Sequence, residues 1–222
     1  MKFLLNKRAL LRVSGSDAEL FLQNQLTNDI FLLNTSSAQL TAYCQHQGKI
    51  IGLFWLIRSN EDFLISFPSD LLQIILSRLK MFILMSDVII EDITMNYNQI
   101  GLINTEHKNA FSINHNLSLL IETKNKKTDI NNNENYQWTK ACIDSFLPEV
   151  TKATSEKFVP QMLNLDEDEI GVNFSKGCYP GQEVVARLHY LGSAKRRLFS
   201  FKSNQEMKVG DSMYCSASKA AL

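Results

Sequence analysis

The sequence predicts an α+β fold in which antiparallel hairpins pack against helices. Three observations carry that reading. The first 125 residues alternate helix-like with hairpin-like stretches and lack the strand–helix–strand repeat of a doubly wound sheet. The strand-like runs are short and separated by turn residues. Finally, 45% of the 222 residues are hydrophobic and 21% charged, enough apolar side chain for a real core.

Taken in order, Leu10–Val13 reads as a strand, and "SGSDAELFLQNQLTNDI" starts a helix. Ser16 with Glu19 three residues on has the form of a capping box, and Ala18, Phe21 and Leu22 share one helical face. The block "AQLTAYCQHQGKIIGLFWLIRSNEDFLISFP" reads as three strands with turns at 47–49 and 59–62. Residues 50–57 are nearly all apolar, so that strand is expected at the centre of a sheet, covered on both faces, with Trp55 in the core. Pro68 and Ser69 open a second helix whose apolar stripe runs through positions 71, 72, 75, 76 and 79. Further strands are expected at 87–95, 99–103 and 117–123. A polar, asparagine-rich linker, "KNKKTDINNNEN", ends at Asn135, and a short helix spans Tyr136 to Phe146.

Composition excludes several classes. Twenty-three basic and 23 acidic side chains cancel, which argues against a dedicated nucleic-acid binder but not against a local basic patch. Cys44, Cys142, Cys178 and Cys215 lie far apart without a C-x-x-C, so neither a disulfide framework nor a zinc finger is expected. His46, His107, His115 and His189 form no metal-ligating pattern, and no metal is expected. The apolar run from Leu71 to Met85 is broken by Gln73, Ser77, Arg78 and Lys80, so no membrane span is expected and a reducing cytoplasm is the simplest location.

The stretch "FSKGCYPGQEVVAR" carries the chemistry. Tyr179-Pro180-Gly181-Gln182 has the residues of a type II turn: Pro180 presets φ at the first central position and Gly181 supplies φ > 0 at the second. Gly177 removes a side chain beside Cys178, leaving room for close approach. Lys176, Arg187 and the basic triplet 195–197 favour the thiolate, and a helix starting at Gln182 or Glu183 would add amide dipoles in the same sense. The competing reading is a buried structural cysteine, and the glycine–proline–glycine setting weighs against it. Glu183 and Arg187 are spaced i,i+4 as an ion pair; His189 is a weak partner for the thiol; Asp166–Glu169 reads as a solvated acidic face.

"KGCYPGQEVVAR" resembles the signature loop K-G-C-[FY]-x-G-Q-E of the YgfZ family, folate-binding relatives of the glycine-cleavage T-protein. "GSDAELFLQNQLTNDI", "AYCQHQGKIIGLFWLI" and "FVPQMLNLDE" resemble further family segments in the right order. The resemblance implies a ring of ferredoxin-like α+β domains around a hole that holds tetrahydrofolate or a one-carbon derivative, followed by a C-terminal β-barrel. Residues 1–195 would form the folate-binding region, as two α+β subdomains joined near 124–135. Residues 196–222 would begin a barrel that is mostly absent, since the chain stops at "SASKAAL".

It also implies a role in the assembly or maintenance of iron–sulfur enzymes, including a tRNA-thiolating one, with direct tRNA contact left open. By the same resemblance Cys178 is the working residue, as nucleophile, redox group or transient metal or sulfur ligand, with Lys176 tuning it in front of a pterin-sized hollow. Gly177, Pro180 and Gly181 shape the loop, and Trp138, Asn28 and Asp29 line the folate side, with Tyr179, Gln182, Glu183 and Arg187 contributing from the loop. Arg8 stands where a second folate-linked tryptophan would fall and is expected to stack through its guanidinium plane. Two other readings stand beside this one. A folate-dependent aminomethyltransferase would need an acid that "GKIIGLFWL" lacks, and a non-catalytic module would have lost the ligand site.

Overall fold

The computed structural model describes residues 1–124 and 136–206. Two antiparallel sheets organise them. The larger contains β2 (Arg8–Ser14), β3 (Ala38–Cys44), β4 (Ile50–Ser59), β5 (Asp62–Pro68) and β6 (Ile89–Asp92), in the order β3-β4-β5-β2-β6. The smaller contains β1 (Lys2–Leu4), β7 (Tyr97–Ile103), β8 (Ala110–Ser112) and β9 (Leu117–Thr123), in the order β1-β7-β9-β8. The helices are α1 (Ala18–Gln25), α2 (Leu72–Lys80), α3 (Tyr136–Asp144) and α4 (Gln182–Leu191).

β4 lies between β3 and β5, as its unbroken apolar run requires, and every residue from Ile50 to Ile57 is buried except Trp55. Its two faces serve different cores. Ile51, Phe54 and Leu56 join Phe63, Phe67, Leu71 and Ile75 under α1 and α2. Ile50 and Leu53 face Val150, Leu163, Leu165, Val172 and Val185, so the last third of the chain is packed on the back of this sheet. Burying each such side chain contributes roughly 1.5–3 kcal/mol. Phe3, Leu10, Leu64, Leu117, Leu119 and Trp138 form a third core that joins the two sheets to α3. Gly101 on β7 is a glycine for this reason: a Cβ there would lie 2.4 Å from the Trp138 ring.

The capping box does not form. Ser16 donates its hydroxyl to Asp87 Oδ2 at 2.9 Å, while Glu19 pairs with Arg58. Asp17 takes the N-cap position without a side-chain bond, and α1 starts at Ala18. Long-range partners outcompeted the local ones. The strands β1 and β8, three residues each, have no counterpart in the sequence reading, and β6 is shorter than the expected 87–95. No strand occurs in 196–206; the rest of the anticipated barrel opening, and residues 125–135 of the linker, lie outside the described residues.

Candidate functional site

The cysteine loop is fastened from both ends. Upstream, Asn173 accepts the amides of Ser175 and Lys176 on its side-chain oxygen at 2.9 and 2.8 Å, which bends the chain inward. The bend drives Lys176 into the protein, where Nζ donates to the carbonyls of Gln23, Leu26 and Asn28 at 2.7, 2.5 and 2.8 Å. Those three acceptors are the free carbonyls at the end of α1 and the turn after it, the groups a helix C-terminus leaves unpaired. Burial lowers the Lys176 pKa to about 8, with Asp29 acting in the opposite direction. The ammonium also lies 5.4 Å from the centre of the buried Tyr179 ring.

Downstream, the type II turn is present: Gly181 has φ 84° and ψ 0°, and Gln182 N donates to Tyr179 O at 3.1 Å. α4 starts at Gln182, as expected. Between the buried Lys176 and the buried Tyr179, Gly177 and Cys178 are exposed. A Cβ at Gly177 would touch nothing within 4 Å, so the glycine leaves open space beside the thiol. Among the described residues no hydrogen bond reaches the Cys178 sulfur. His189 is stacked on Phe174, ring centres 3.7 Å apart, which fixes α4 against the loop and gives the histidine a packing role.

A cavity of about 420 Å³ opens elsewhere. Arg8 of β2, Leu40 of β3, and Leu53 and Trp55 of β4 form one wall. Trp138, Cys142 and Ile143 of α3 form another, and the segments 146–149 and 198–201 close it. Arg8 is held by Ser66, through Nε to the hydroxyl at 2.8 Å and through Nη2 to the carbonyl at 3.0 Å, and donates Nη1 to Glu149 Oε1 at 2.6 Å. Burial lowers its pKa and Glu149 counteracts that. Burial raises the Cys142 thiol to about 11 and the nearby Arg8 charge moderates the rise.

The expected site therefore falls into separate places. Arg8 and Trp138 line the cavity; Cys178 does not, which corrects the expectation of a thiol facing it. Lys176 is spent on three carbonyls and anchors the loop in place of flanking the sulfur. Asn28 is equally committed: Nδ2 donates to Leu40 O at 2.9 Å and Oδ1 accepts the Asp29 amide. Asp29 accepts from Gln23 Nε2 and the Phe31 amide, capping a 3₁₀ turn. Glu183 and Arg187 are exposed on α4 and form no ion pair with each other, and Gln182 starts that helix outside the cavity lining. In the basic triplet, Arg197 is bound to Asp166 at 2.5 and 3.0 Å, so part of the acidic run is a structural partner.

No protein-family model matches the chain. An uncharacterized protein of Haemophilus influenzae is 34% identical over 214 residues, covering 93% of this chain and 75% of that protein. The tRNA-modifying protein YgfZ of Buchnera aphidicola is 29% identical over 244 residues, covering 93% of this chain and 75% of that protein. That of Colwellia psychrerythraea is 29% identical over 233 residues, covering 91% and 71%. The chain belongs to the YgfZ family.

Its fold is that of the glycine-cleavage T-protein. The aminomethyltransferase T of Bartonella henselae superposes with a TM-score of 0.58 at 12% identity, over 85% of this chain; this chain spans 63% of that structure's length. In this YgfZ-family chain the T-N-D turn is a staple for the cysteine loop. Thr27 donates its hydroxyl to Gly171 O at 2.6 Å, accepts the Ala42 amide at 2.8 Å, and takes the Asn173 amide on its carbonyl at 3.0 Å. Sequence reasoning missed Trp55, Cys142 and Glu149 at the cavity. For Trp55 a signal existed: it pairs with Leu40 across β3–β4 and alternates with Leu53, so all three share one face.

Proposed function

We propose that this chain is a tetrahydrofolate-binding accessory protein for the assembly or maintenance of iron–sulfur enzymes, a tRNA-thiolating enzyme among them, with Cys178 as its working group. The observation that supports this most is the contrast within four residues: an exposed thiol between two side chains, Lys176 and Tyr179, that are locked in the interior. A sulfur held out on a rigid loop with empty space beside it suits reaction with a large partner, and a hydrophobic filler would not be presented this way.

The cavity fits the ligand's chemistry. Its volume lies in the range of small-molecule sites, and its walls are apolar and aromatic with one charged pole, Arg8 and Glu149. Tetrahydrofolate, when bound, would supply a carrier for a one-carbon unit. The chain's own residues would hold it: Trp55 and Trp138 by apolar contact, the Arg8–Glu149 pole by hydrogen bonds. Asn28, Asp29 and Tyr179 would support the loop and leave the ligand to others. On this reading thiol and folate act at separate places on one body. The aminomethyltransferase reading gains nothing from the β3–β4 hairpin, which has no acid between Gly48 and Leu56.

The test is complementation of a cell lacking its YgfZ member, with tRNA thiolation as readout. The chain restores thiolation and Cys178→Ala does not. Full rescue by Cys178→Ala removes the thiol from the proposed role.

A further inference from the structure

The cavity's charged pole is built with unusual care for a surface ion pair. Arg8 uses Nε, Nη1 and Nη2, and the Ser66 hydroxyl that holds Nε donates onward to Gln99 Oε1 at 2.5 Å. Gln99 Nε2 in turn donates to Ala9 O at 3.0 Å, so the network ties β2, β5 and β7 together beneath the guanidinium. Arg8 is thereby fixed, and it fixes Glu149 through one carboxylate oxygen only. Among the described residues the other oxygen, Oε2, has no hydrogen-bond partner, and the Glu149 side chain is 54% exposed. Pro148 next to it restricts the backbone, so a carboxylate with one free acceptor stands at the end of an otherwise apolar cavity.

We infer that Glu149 is the residue that reads the ligand: held by Arg8, it accepts hydrogen bonds from a flat heterocycle's N–H edge, the 2-amino and N3–H donors of a pterin. The inference rests on the folate reading of the cavity and adds its specificity. A carboxylate is the natural complement of two adjacent N–H donors, because it accepts both and its charge strengthens each bond. Arg8 is then a positioning residue: its own protons are already given to Ser66 and Glu149, so it acts through the orientation of the carboxylate. The alternative role for the pair is purely structural, a clasp between β2 and the segment after α3.

Binding is read from tryptophan fluorescence, since both tryptophans of the chain line the cavity. The probes are 5-formyltetrahydrofolate and its 2-desamino analogue, on the wild-type chain and on Glu149→Gln. The wild-type chain is expected to bind the parent compound at least about tenfold more tightly than the analogue, and Glu149→Gln to weaken the parent by a similar factor. In the variant the two compounds are expected to bind alike, a coupling that a structural clasp would not produce. Wild-type binding with equal preference in both proteins overturns the role of Glu149 and leaves the folate reading intact. Absence of wild-type binding overturns both. If Glu149→Gln unfolds, the comparison of the two compounds on the wild-type chain decides alone, and equal affinity overturns the inference.

Discussion

Gly181 and Gly48 are packed backbone to backbone: a Cβ on Gly181 would lie 2.8 Å from Gly48 Cα and 2.5 Å from the carbonyl oxygen of Gln45. Both glycines have positive φ, 84° and 76°. The turn that follows Cys178 is thus seated on the turn between β3 and β4, and a Cβ at Gly48 would in turn press on Val184 and Val185 of α4. Two loops far apart in sequence fix each other, and through them the thiol is referred to the rigid sheet.

Gly181→Ala is therefore expected to destabilise the fold by at least about 2 kcal/mol, from the left-handed conformation and a backbone clash that no rotamer can relieve. Gly177→Ala, with open space around the added methyl, is expected to stay within about 0.5 kcal/mol of the wild-type chain. Urea unfolding of the two variants checks the contrast, and equal costs would mean the turns do not interlock.

The three described cysteines rank by surroundings. Cys178 is exposed; Cys142 is half-buried in the cavity with its thiol raised to about 11; Cys44 is fully buried and burial raises its thiol further. Iodoacetamide followed by peptide mass spectrometry is expected to label Cys178 first, Cys142 slowly and Cys44 only on unfolding. The Cys142 rate is expected to rise about tenfold per pH unit up to pH 10, because the thiolate fraction does so below the pKa. Protection of Cys178 in the native chain would contradict its exposure.

Asn28→Ala tests which role that residue has. Its side chain serves the carbonyl of Leu40 and the amide of Asp29, so the substitution is expected to cost about 1–3 kcal/mol in unfolding free energy. Folate affinity is expected to hold, since Asn28 does not line the cavity. Lost affinity at unchanged stability would return Asn28 to the ligand.

These contrasts show what the sequence could and could not convey. Turns were legible because their chemistry is local: Pro180-Gly181 and Gly48 require particular φ values whatever surrounds them. The apolar run of β4 announced a central strand for the same reason. Charged residues were misread because their partners are distant. Ser16 found Asp87, Glu19 found Arg58, and Lys176, two residues from a thiol in sequence, found carbonyls some 150 residues away. Glu149 gave no sign of itself, since nothing local distinguishes it from any exposed acid until Arg8 closes on it.

Lys176 allows that long-range placement to be read by pH. Its ordinary pKa is 10.5, and burial lowers it to about 8 in the folded chain. Below pH 8 the folded and unfolded chains both carry the ammonium. From pH 8 to 10.5 the unfolded chain holds the proton that the folded chain has released, so stability rises with pH across this window. Lys176→Met has no such proton, while the buried cysteines and tyrosines titrate alike in both proteins and cancel in the difference. The unfolding free energy of the wild-type chain minus that of Lys176→Met is therefore expected to grow by about 3 kcal/mol between pH 7.5 and 10.5. Guanidinium unfolding at four or five pH values measures it. A flat difference would mean that the three carbonyls at 2.5–2.8 Å outweigh burial and keep the ammonium charged, with Lys176 a permanent cation in the interior.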